Sequence, residues 1–116
     1  MSISQGHALS AIAFQFAAAL QSYQQETEAG LQHPADLDLY LRVSSRMDEM
    51  RLYASSLPYV AVPWVEVLIR HFELTHALWR VQQQTADAGS LAEIHKQHQT
   101  AVESLQRRLV HSMQSH

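Results

Sequence analysis

A chain of 116 residues and 13.2 kDa has the size of one domain, and surface scaling puts about two-thirds of its surface inside on folding, enough for a core without staples. The absence of cysteine excludes a disulfide framework, thiolate catalysis and Cys-ligated zinc or iron–sulfur sites, and it fits a reducing compartment. A net charge of −3 and a pI near 6.2 argue against nucleic acid as a partner, since such binding needs a concentrated positive surface.

The first predicted helix runs from about Ser4 to Ala29, with Gly30 as its C-terminal stop. Its apolar run from Ala8 to Leu20 has no positively charged stretch before it and is interrupted by Gln15, so it reads as mature helix rather than a signal peptide. Leu9, Ile12, Ala13, Phe16, Ala19, Leu20 and Tyr23 recur at spacings of three and four and form the core stripe. Phe14 lies off that stripe between Ala11 and Ala18, either as a contact for another helix or as a single exposed ring.

After the break at Leu31–Pro34, a second helix spans about 35–57, with Pro34 at its first turn and Asp36 and Asp38 at the positive end of its dipole. Tyr40, Val43, Met47, Met50, Ala54 and Leu57 follow the 3-4 spacing of a seam between nearly antiparallel helices. Leu37, Leu41 and Leu52 form a second, thinner apolar line on the other side.

Two prolines five apart, in the segment Pro58-Tyr59-Val60-Ala61-Val62-Pro63, end one helix and start the next. The apolar residues between them are expected to fold back over an end of the core. The third helix, about 63–85, is the most apolar stretch of the chain. Glu66, Arg70, Glu73 and Arg80 share one narrow polar stripe, and the remaining arc is about twice what an amphipathic helix needs. This predicts a central helix covered on several sides.

Ser90-Leu91-Ala92-Glu93 has the form of a capping box, in which hydroxyl and carboxylate reciprocally satisfy free backbone N–H groups. It is expected to open a fourth helix, about 90–115, whose stripe is Leu91, Ile94, Ala101, Val102, Leu105, Leu109 and Met113. Four long helices with short connections predict an all-α, antiparallel up-down-up-down four-helix bundle spanning residues 1–116. No stretch reaches the roughly 18 uninterrupted apolar residues of a membrane span, so a soluble cytoplasmic protein is expected.

Eight histidines invite a metal hypothesis. Glu73-Leu74-Thr75-His76 has the Glu-x-x-His spacing of di-iron bundles, but no second copy accompanies it, and an ion pair of Glu73 with Arg70 is the simpler role. His71 and His98 fall on the inward faces of the third and fourth helices, and His95 and His98 are three apart. An alternative reading therefore has His71, His76, His95 and His98 as ligands of a metal- or small-molecule-binding bundle. The simpler reading keeps the imidazoles separate, each hydrogen-bonded to a hydroxyl or carbonyl, with no metal and no cofactor.

No glycine-rich phosphate loop or nucleophile elbow is present, which leaves no catalytic residue and a non-enzyme as the expectation. Arg42 and Arg46 share a face but lie close to Asp48 and Glu49, so they suit a solvated surface better than nucleic acid. The surplus of apolar surface on helices one to three instead predicts a protein-interaction module, an adaptor, chaperone-like factor or regulator that pairs with itself or another protein. The candidate interface residues are Phe14, Leu37, Leu41, Leu52, Trp64, Phe72 and Trp79. The excess of Arg over Lys, with many Ala and Gln, hints at a bacterial source.

Overall fold

The expected four helices form, with ends shifted by up to a turn. In the computed structural model, which describes residues 2–84 and 88–114, α1 spans Ser2–Gln32, α2 Leu37–Ser55, α3 Ala61–Gln82 and α4 Ala88–Gln114; a single 3-10 turn, Pro58–Val60, joins α2 to α3. Among the described residues there is no strand. The expected helix ends at Thr85 and Ser115 lie outside the described residues.

Cross-helix pairs set the direction of each element. Phe16 meets Tyr53 and Glu26 meets Arg46, so α2 runs opposite to α1. Phe16 meets Trp64 and Tyr23 meets His71, so α3 runs with α1. Tyr23 meets His98 and Glu28 meets His95, which turns α4 back again. The arrangement is up-down-up-down.

Several local signals were overruled. Gly30 stays helical with no positive φ, and α1 continues through it to Gln32. A helical glycine costs only about 1 kcal/mol, which packing against the rest of the bundle easily outweighs. Pro34 lies in the connecting turn rather than the first turn of α2; the cap is Asp36, at ψ 102°, whose carboxylate accepts from Leu39 N at 3.2 Å. Ser90 sits inside α4, two residues after its start, so the capping box does not open this helix. Pro63 is the third residue of α3, where its missing N–H removes a donor that has no intrahelical partner anyway.

The core is built around α1, not α3. Ala13, Phe16, Ala19, Leu20 and Tyr23 of α1 are buried against Met47, Met50 and Ala54 of α2 and Ala101, Val102, Leu105 and Leu109 of α4. Leu57 and Val60 close one end, and the Tyr59 hydroxyl pairs with Ser112 Oγ at 2.9 Å. α1 packs along both α2 and α4, and α3 packs along α4, but α2 and α3 scarcely touch although they are consecutive. The cross-section is accordingly wider than deep, 25 by 17 Å. Tyr40, expected in the α2 seam, is exposed because the seam is open at this level.

Candidate functional site

Two features stand apart from the packed core: a buried polar triad and an unpaired apolar stripe. The triad is centred on Tyr23. Its hydroxyl lies 2.8 Å from His71 Nδ1 and 2.6 Å from His98 Nε2, joining α1, α3 and α4 at one level. One hydroxyl proton allows Tyr23 to donate to one ring while accepting an N–H from the other, so both imidazoles are served in the neutral form.

The two directions of this relay are not equivalent. His98 Nδ1 is buried with no hydrogen-bond partner. If Tyr23 donates to His71 and His98 donates from Nε2, only a lone pair is left bare at that nitrogen; the reverse direction strands a buried N–H. The first arrangement costs less, and it places the single ring proton of His71 on Nε2. Burial pushes the pKa of both imidazoles down, to about 4, aided for His98 by its proximity to His71 and His95. Burial also raises the Tyr23 phenol, which the nearby Thr27 hydroxyl partly offsets. That hydroxyl is itself buried without a partner inside hydrogen-bonding limits.

The remaining histidines do not join this cluster. His95 pairs with Glu28 at 2.6 Å, and His76 stacks on Trp79 at 6.1 Å on the exposed side of α3. His71, His76, His95 and His98 are thus not brought together as a ligand set. Among the described residues, no group of three or more His, Asp or Glu side chains lies close enough to hold a metal ion. Thr75 bonds back to the carbonyls of His71 and Phe72 rather than to an imidazole. The sequence pointed both histidines inward but missed Tyr23 as their partner.

On the polar side, Arg70 is clamped by Glu66 at 2.8 Å and Glu73 at 2.7 Å, which removes Glu73 from any metal reading. Arg46 is held by Glu26 and Glu49.

Of the residues singled out for an interface, Trp64 belongs to the core. It is only 6% exposed and packs edge-on against Phe16, ring centroids 5.8 Å apart. Phe14, Leu37, Leu41, Leu52, Phe72 and Trp79 are all exposed. α3 is therefore not a central helix but a peripheral one with two apolar faces. Trp64, Val67, His71 and Leu74 face the bundle, whereas Val62, Val65, Ile69, Phe72 and Trp79 face away, with Phe72 61% and Trp79 55% exposed. With His76 these outward positions recur at 3-4-3-4-3 along the whole of α3.

Among the described residues, no helix is long and apolar enough to cross a membrane. Comparison with protein-family models, curated proteins and solved structures finds no match to this chain.

Proposed function

We propose that the protein is a small non-catalytic interaction module that pairs with a second copy of itself through the outer face of α3. The outward stripe of Val62, Val65, Ile69, Phe72, His76 and Trp79 supports this reading. Its alternating three- and four-residue spacing is that of a helix–helix seam, and a twofold axis across α3 presents the stripe to an identical one. The Glu66–Arg70–Glu73 ion pairs give it a polar border on one edge, as interface patches have. A reducing, cytoplasmic setting agrees with a cysteine-free chain.

Sedimentation velocity of the full chain tests this. The wild type should run at twice 13.2 kDa, and Ile69→Glu with Phe72→Glu should run as a monomer of unchanged helicity. A monomeric wild type, or a double variant that remains dimeric, overturns the proposal. Leu41→Glu with Leu52→Glu should leave the mass at the dimer value, which separates the α3 face from the apolar line on α2.

A further inference from the structure

The open seam between α2 and α3 is not an empty gap in an otherwise closed bundle. It holds a half-open cleft of about 80 Å³ whose floor comes from α1 and whose walls come from α2 and α3. Its walls are mostly apolar, from Leu39 and Val43 of α2 and Leu74 and Leu78 of α3; Thr27 and His71 lie deep in the lining, and His33, Asp36, Tyr40 and Thr75 also contribute to it. A few polar groups in a largely apolar recess are what small-molecule sites share.

Two observations point to a ligand rather than a packing flaw. Thr27 is more than nine-tenths buried, yet its hydroxyl has no hydrogen-bond partner, a cost that a native fold seldom carries without a reason. His71 has its Nδ1 committed to Tyr23, so its Nε2–H is the ring's remaining donor. At Gly30, which also lines the cleft, an added Cβ would meet no atom within 4 Å, so a larger side chain can be placed there without a clash.

We propose that this cleft binds a small neutral molecule with an apolar body and one hydroxyl group, such as a phenol or a short branched alcohol. The hydroxyl donates to Thr27 Oγ1 and accepts from His71 Nε2–H, and the apolar body lies against Val43, Leu74 and Leu78. At about 80 Å³ the recess has roughly half the volume of a cavity that encloses a benzene ring, so the hydroxyl end sits inside and part of the ring extends through the open side. A carboxylate is disfavoured, because the imidazole it would meet is held neutral by its burial and by Tyr23. The site does not depend on pairing of the chain, since the cleft lies between α1, α2 and α3 and not on the outward stripe.

Phenol and toluene titrated into the full chain, followed by backbone and histidine-ring 15N spectra, distinguish the outcomes. Phenol should saturate with a Kd on the order of 1 mM, shifting Thr27, Gly30, Val43 and Leu74 together with the His71 ring. Toluene, which has the shape without the hydroxyl, should bind about tenfold more weakly. Thr27→Val should erase most of that preference while leaving toluene binding unchanged. Gly30→Leu, which adds a large side chain to the cleft lining and improves helix propensity, should abolish binding of both while helicity holds. Equal affinity for the two probes, no saturable shift with phenol, or phenol binding that survives Gly30→Leu would each overturn the proposal.

Discussion

The hydroxyl of Tyr23 lies 2.6 Å from Nε2 of His98, a contact that spans 75 residues of sequence and fastens α4 to α1 in the middle of the bundle. The same oxygen holds His71, so one side chain satisfies two imidazoles that would otherwise be bare in an apolar interior. Tyr23→Phe keeps the ring and removes only this oxygen. Each stranded ring nitrogen then costs roughly 1–3 kcal/mol, and the variant should lose on the order of 3 kcal/mol in urea unfolding with an unchanged m-value. A loss below about 0.5 kcal/mol would mean that water replaces the hydroxyl at no cost.

The same burial makes stability depend on pH. The folded-state values of His71 and His98, about 4, lie below the ordinary 6.5, so the unfolded chain binds more protons than the folded one between these limits. Stability contributed by the neutral pair is complete above pH 6.5 and is lost as pH falls toward 4. With both rings involved, the slope can approach about 2.7 kcal/mol per pH unit. Urea midpoints should hold nearly level from pH 7.5 to 6.5 and fall from there to pH 5, before most carboxylates titrate. His71→Gln with His98→Gln should flatten the curve in that window; an equally steep curve in the variant would place the dependence elsewhere.

The helices and the inward stripe of α4 were legible because a single apolar face at 3-4 spacing has one interpretation: Val102, Leu105 and Leu109 are all fully buried. α3 was harder. A helical wheel reports the width of an apolar arc but not what lies across from it, so a helix buried on several sides and a peripheral helix with a second, outward seam look the same. Trp64 and Trp79 carry the difference, one in the core and one outside it. The triad was half legible. His71 and His98 fall on inward positions by periodicity alone, but their meeting at Tyr23 depends on the relative register of three helices, which periodicity does not contain. The cleft was invisible for the same reason. Gly30 reads as a helix stop, and only packing shows that it leaves open space instead.

Gln84 provides a local test of backbone strain. It follows the C-terminal end of α3 with φ of 60°, and its N–H bonds to Val81 O at 3.0 Å, the role a glycine usually takes at a helix end. A side chain in this left-handed conformation costs about 1 kcal/mol relative to glycine. Gln84→Gly should therefore raise Tm by a few degrees, an increment of about 1 kcal/mol in a domain of this size. A lower Tm would show that the entropy gained by the unfolded chain outweighs the relieved strain.

The two tryptophans of α3 separate folding from pairing within a single helix. Trp64 packs on Phe16 with 6% of its surface exposed, whereas Trp79, two turns further along the outer stripe from Phe72, is 55% exposed. Trp64→Ala removes a large core ring and should cost about 3–5 kcal/mol, enough to leave the variant marginally folded. Trp79→Ala should change the unfolding free energy of the monomer by no more than about 0.5 kcal/mol while weakening pairing by tenfold or more, as the loss of an aromatic anchor does. Measuring urea unfolding at low protein concentration and dissociation by dilution on the same variants reads the two effects apart. If Trp79→Ala lowers monomer stability as strongly as Trp64→Ala, the outer face of α3 belongs to the fold, and the stripe is not a seam waiting for a second chain.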